Sequence, residues 1–202
     1  MSAQPSRVIA DPRALMAIAH PLRLRILEAL ALRGPLTATQ VAQQIDESPA
    51  NCSWHLRQLH KYGFITESGD GRGRRRPWRM VVDGHRWGTG DESPELARAG
   101  DAAAQVLIGL EYRALLEWLA TRRREAPEWR DVGFFNQAIG WCTPKELDEL
   151  RDSITELFAP YLRRIEDVGA RPDGSRPARL MGWGIPAAAP QPGNDTEKEA
   201  EE

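Results

Sequence analysis

Six side chains able to meet a nucleic acid crowd into one short stretch. SPANCSWHLRQLHKYG, Ser48 to Gly63, carries Ser48, Asn51, Ser53, Trp54, Arg57 and Gln58. Within it Cys52, Leu56, Leu59 and Gly63 recur at spacings of four, three and four, one face of a 3.6-residue period. The stretch therefore reads as a helix with its polar residues on the opposite face. Those residues are donors and acceptors of the kind that reach base edges and phosphates, and an amide such as Asn51 or Gln58 can bridge N6 and N7 of adenine. Ser48 can cap the first turn, and Pro49 suits the N1 position, where a missing amide proton costs nothing.

A second cationic feature follows closely. The loop GDGRGRRRP, Gly69 to Pro77, holds Arg72, Arg74, Arg75 and Arg76 among glycines. Guanidinium groups there suit phosphates or a narrow minor groove; the plainer reading is a cationic loop that only aids solubility. Phe64 to Ser68 before it and Trp78 to Val82 after it read as two antiparallel strands, the latter alternating Trp78, Met80 and Val82 with Arg79 and Val81.

The elements that must hold these two features lie upstream. Residues 1–11 read as a loose arm. Asp11-Pro12 starts a helix with Leu15, Ile18 and Ala19 on one face. His20-Pro21 ends it, and Pro21 opens the next, Leu22 to Ala31, which Gly34-Pro35 stops. Leu36 can add one residue to the strand pair. Thr37 caps a third helix, Ala38 to Ile45, with Val41, Ala42 and Ile45 inward, and Asp46-Glu47 makes the turn into the polar-faced helix. Arg23 and Arg25 are placed either to touch backbone phosphates or simply on a solvated face. A lone histidine before proline, His20, reads as a packed, hydrogen-bonded residue. Helices, turn, polar-faced helix and basic hairpin together read as a winged helix-turn-helix.

That arrangement resembles the bacterial ArsR-type winged-helix repressors, and the remainder of the chain resembles the longer two-part members of high-GC actinobacteria. Ser53, His55, Leu56, Leu59, Gly63, Phe64 and Ile65 fit the family's recognition segment, with Cys52 at its branched apolar position. HPLRLRILEAL, His20 to Leu30, matches its opening helix, and the resemblance spans roughly residues 11–83. The resemblance implies DNA binding, regulation of transcription, and dimerisation through flanking helices. It also makes His55 a candidate DNA contact, the alternative being a packing role. The metal-sensing branch carries Cys-x-Cys in the first helix of the motif; TATQVAQQI here has no cysteine, which argues against thiolate sensing.

Charge is divided along the chain. Residues 1–90 hold 13 Lys+Arg against 7 Asp+Glu, and residues 91–202 hold 14 against 22. The first part can face a polyanion and the second would be repelled by one. Cys52 and Cys142 stand far apart, as expected of a reducing cytoplasm, and neither a membrane-spanning run nor a secretory leader is read.

Beyond a Gly/Asp/Ser linker, residues 83–94, a long helix is expected to about Arg124. Its stripe of Leu96, Ala99, Ala103, Val106, Leu110 and Ala114 reads as a dimer seam, since some 45 Å of helix cannot be buried by a small winged domain, the alternative being an intrachain pair with the later helix. Trp129 to Trp141 reads as a strand. Thr143-Pro-Lys-Glu146 is a capping box opening a helix to about Asp167, and Ala178 to Ile185 reads as a short strand. Trp129, Phe134, Phe135, Trp141 and Trp183 are candidates for distal core or for an apolar effector pocket. Residues 186–202 read as a disordered acidic tail.

No phosphate-cradling loop, metalloprotease motif or nucleophile elbow occurs, and the acidic cluster Glu146, Asp148, Glu149 and Asp152 lies on the solvent side of its helix. No cofactor or metal is implied. The fold class expected is mostly α with a small β wing: a winged helix-turn-helix at 11–90 and a distal α(+β) region for dimerisation and effector binding at 94–185. The function expected is a homodimeric, cytoplasmic, sequence-specific transcriptional regulator, most simply a repressor, bound to an inverted repeat of double-stranded DNA and open to a small-molecule effector. The rivals are a winged-helix protein-interaction module and a small-molecule-binding protein using the distal half.

Overall fold

The computed structural model describes residues 7–69, 76–82 and 93–187, and the backbone of 85–86. The expectations for Arg72, Arg74 and Arg75, for most of the linker and for the tail beyond residue 187 lie outside those residues.

The described residues open with β1 (Arg7–Val8), paired in parallel with β4 (His85–Arg86). This corrects the expectation of a loose N-terminal arm. Ile9 is buried directly after the strand, and the Arg7 guanidinium donates to the Tyr62 carbonyl at 3.3 Å. Arg7 also lies across Gly63, where φ is +78° and an added Cβ would meet Arg7 Nη1 at 2.6 Å. The left-handed φ is what favours glycine there, since the Arg7 side-chain end could move aside.

Four helices follow, each started by its own cap. Asp11 accepts from the Arg13 amide to open α1 (Pro12–Ile18), and His20 Nδ1 accepts from the Leu22 amide to open α2 (Pro21–Arg33). Thr37 and Gln40 close a reciprocal capping box on α3 (Ala38–Ile45). Asp46, with φ of +50°, turns the chain into α4 (Pro49–Lys61), capped by Ser48. The wing is β2 (Ile65–Glu67) against β3 (Trp78–Met80), antiparallel, with Leu36 bridging to Trp78 as the third edge.

Packing follows the apolar faces. Leu15, Ile26, Leu30, Val41, Cys52, Leu56, Leu59 and Ile65 are fully buried, so α1 to α4 and the wing share one core. To this core α5 (Pro94–Thr121) adds only its first turns: Leu96, Ala99 and Ala103 bury against α1.

The distal region is organised differently. After a 3₁₀ turn at Arg122–Arg124 come α6 (Pro127–Arg130) and α7 (Pro144–Glu166), the latter opened by the expected box of Thr143 and Glu146. The two distal strands expected from sequence are not formed. Trp129 belongs to α6, and residues 133–143 and 176–187 have no regular structure. Among the described residues neither segment meets a sheet edge with which to pair. The segment 176–187 instead runs along α5 and α7: Arg179 pairs with Glu111 at 2.9 Å and with Glu28 of α2, Gly182 abuts Ile154 and Phe158, and Gly184 abuts Leu147. From residue 104 to residue 187 no side chain is buried.

Candidate nucleic-acid interface

Helix α4 is amphipathic in the sense its sequence implies. Cys52, His55, Leu56 and Leu59 face the core, while Ala50, Trp54, Arg57 and Lys61 lie on the far side and are exposed, with Asn51, Ser53 and Gln58 half-buried at its borders. Ser48 and Pro49 set the start of the helix, and α3 packs against it through Val41, Ala42 and Ile45. The exposed face therefore stands on a packed support, as a groove-reading helix requires.

Two of the polar side chains are held in place before any ligand arrives. Asn51 Nδ2 donates to Glu47 Oε2 at 3.1 Å, and the Ser48 amide donates to the same oxygen at 3.3 Å. A carboxylate only accepts, so the amide nitrogen of Asn51 must face Glu47, and its oxygen is turned away. These bonds, that of Asn51 foremost, hold the Glu47 carboxyl below its ordinary range. Arg57 Nη1 donates to Ser53 Oγ at 3.0 Å, one helical turn back.

His55 is corrected from candidate DNA contact to interior residue. It is only 5% exposed, its ring centroid 4.7 Å from that of His20 and 4.7 Å edge-on from Trp54. Its Nδ1 and the Nε of Arg23 are buried with no hydrogen-bond partner among the described residues. Burial first, then the charges of His20 and Arg23, push the His55 imidazole down, and burial followed by Arg23 does the same to His20. Arg25 stays exposed but is tied to the chain, donating to the Ile45 carbonyl at 2.6 Å.

In the wing, Arg76 is tied to Glu67 of β2 at 2.7 Å at the loop end of the hairpin, a brace for the wing. Lys61 and Glu47 are the residues that sequence reasoning passes over. Lys61 follows Arg57 by four, the spacing that puts it on the same face; Glu47 looks like a turn residue only.

The distal expectations fare less well. Leu96, Ala99 and Ala103 cannot form a dimer seam, because α1 covers them within the chain; Val106, Leu110 and Ala114, on the same side of α5, are half-buried. The aromatics do not enclose a pocket either. Trp129 is half-buried, with the Arg176 guanidinium 4.9 Å from its ring, while Phe134, Phe135, Trp141 and Trp183 are strongly exposed and join no core among the described residues. An open groove of about 240 Å³ lies elsewhere, between α1 and α5, lined by Pro12, Arg13, Met16, Glu95, Arg98 and Ala99. Among the described residues no group of three or more His, Cys, Asp or Glu is arranged to hold a metal ion, and no helix is long and apolar enough to cross a membrane.

Three packed helices, a supported polar-faced helix and a two-stranded hairpin define an N-terminal winged helix-turn-helix domain, and such a domain gives the chain a DNA-binding, regulatory role in general. Residues 18–68 match a family model described as a helix-turn-helix domain. A comparison with curated proteins finds no match.

Proposed function

We propose that the protein is a homodimeric, sequence-specific transcriptional regulator of ArsR type, acting as a repressor by occupying an operator. The observation that carries this reading is the exposed face of α4, where Trp54, Arg57 and Lys61 with the bordering Asn51, Ser53 and Gln58 stand on a buried support. Each protomer would place that face in a major groove, with Asn51 and Gln58 reading base edges and Ser48, Arg57 and Lys61 meeting phosphates. The wing, including Arg72, Arg74 and Arg75, would contact the flanking backbone or minor groove. Two heads would read an inverted repeat, with half-site centres about 34–36 Å apart. A small-molecule effector would act by changing the setting of the two heads through α5.

A protein-interaction module would instead show a contiguous apolar patch on α4, where Trp54 is the sole large exposed apolar side chain. Selection from genomic fragments at physiological salt tests the proposal. Enrichment of one short inverted repeat is the expected result. Salt-sensitive recovery of all fragments, with no sequence enriched, would overturn it.

A further inference from the structure

Helix α5 has two apolar faces. One carries Leu96, Ala99 and Ala103 and is consumed by α1. The other carries Ile108, Tyr112, Leu116 and Leu119, at spacings of four, four and three, and every one of these is exposed. At 100° per residue the two faces point in nearly opposite directions. Downstream of α6, residues 132–142, VGFFNQAIGWC, hold no charged side chain. Residues 133–141 make no backbone–backbone hydrogen bond among the described residues, and Ile139 and Trp141 are 90% and 91% exposed. The arm is anchored at its start, where Gly133 lies flat on the Trp118 ring so closely that no Cβ would fit, and at its end by the Thr143 cap.

We propose that these two surfaces are halves of one interface between two copies of this chain: the arm of each copy lies on the Ile108–Leu119 face of its partner's α5, and the distal half gains its core only there. The inference rests on the homodimeric reading above and moves the seam to the opposite side of α5. Area favours it. Four aromatic side chains on the two surfaces, Tyr112, Phe134, Phe135 and Trp141, are between 59% and 91% exposed. At about 150–250 Å² for a whole aromatic side chain, they alone leave on the order of 600 Å², most of one partner's share of a standard interface. Charge permits a second copy here. Residues 91–202 are acidic, but the arm, residues 132–142, carries no charged side chain, so it can approach the partner's α5 without like-charge repulsion. Reach permits it, since ten extended residues span about 33 Å, several times the separation of two packed helices.

The experiment uses full-length chains without DNA, so its failure is separate from that of DNA recognition. One tagged copy keeps Cys142, which is exposed, while Cys52 is buried in both copies. A second, differently tagged copy carries Leu116→Cys and Cys142→Ser. The two are co-expressed and treated with a short bismaleimide, and the wild-type mass is measured by sedimentation over a range of concentrations. A twofold protomer mass, and a cross-linked product bearing both tags that disappears when Leu116 is restored, are expected. A protomer mass at every concentration, or a dimer giving no product with both tags, would overturn the proposal. Leu116→Cys is a mild change at an exposed site, so loss of folding does not confound the result; circular dichroism of each copy checks this.

Discussion

The two ends of this chain solve the burial problem in opposite ways. Between Ile9 and Met80, four helices and a hairpin enclose a core in which eight of the larger side chains, Leu15 and Leu56 among them, are almost wholly shielded. Between residues 104 and 187 a comparable length of chain, with well-capped helices and abundant aromatics, encloses none. Local signals are equally good in both: the capping box at Thr143 has the same geometry as that at Thr37. The difference teaches that capping and periodicity make helices, whereas a core needs facing surfaces, and the distal half does not contain both of its own.

The largest expected effect sharpens that contrast. Leu56→Ala should cost about 2–5 kcal/mol of stability, because it empties a fully enclosed site behind the polar face of α4. Leu157→Ala, at a position 64% exposed in the single chain, should cost stability only in proportion to dimer formation. Thermal melts at several protein concentrations check both, and a concentration-independent loss at Leu157 would place that side chain in an intrachain core.

Next come the DNA-binding side chains. Asn51→Ala or Gln58→Ala should weaken operator binding by about 1–3 kcal/mol and leave random duplex binding nearly intact. Arg57→Ala with Lys61→Ala should weaken both alike and flatten the salt dependence by about 0.9 for each phosphate no longer neutralised. Fluorescence anisotropy at several salt concentrations separates the two behaviours. Equal weakening on both duplexes for Asn51→Ala would assign it to the backbone.

Smaller still, Thr143→Ala should lower stability by about 1 kcal/mol by removing the cap of α7. Hydrogen exchange localises the effect. Faster exchange confined to 143–150 is expected, and faster exchange throughout α2 and α4 would mean that the two regions melt as one.

The histidine pair gives a pH signature of the proximal core alone. Both imidazoles are held below their ordinary value, so folding favours their neutral forms. Stability should be full above about pH 6.5, the unfolded value, and fall as pH drops through the lowered folded values. Melting temperature measured from pH 7.5 to 5 should show that fall, and His55→Gln should reduce it. Glu47, held low by Asn51 and the Ser48 amide, loses its contribution only at lower pH, which keeps the two effects apart.

What is legible in the sequence follows the same division. Asp11, Thr37, Ser48, the Pro94 turn and Thr143 mark the starts of α1, α3, α4, α5 and α7, and Leu36 falls at the wing edge as its position implies. In the proximal half each apolar face meets another apolar face of the same chain, so period alone identifies the core. His55 misleads because its polar type suits the exposed face, while its spacing of three from Cys52 and four from Leu59 puts it inward. The α5 stripe is apolar as read, but a period cannot say whether α1 or a second copy covers it. Trp129–Trp141 looks like a strand from its partial alternation, yet a strand needs a partner, and among the described residues none pairs with it. Pairing of Arg7–Val8 with His85–Arg86 joins two-residue strands far apart in sequence, too short to leave a pattern.

One measurement bears most directly on the claim that the proximal half reads and the distal half pairs. An inverted repeat recovered by selection is compared with the same duplex carrying about five extra base pairs between its half-sites, half of the roughly 10-base-pair turn, which puts one half-site on the opposite side of the helix. With two heads held at a fixed spacing by a shared distal core, anisotropy titrations should show the affinity falling at least tenfold, toward that of a single half-site. Equal affinity for the two duplexes would mean that the heads bind independently, and would contradict the claim.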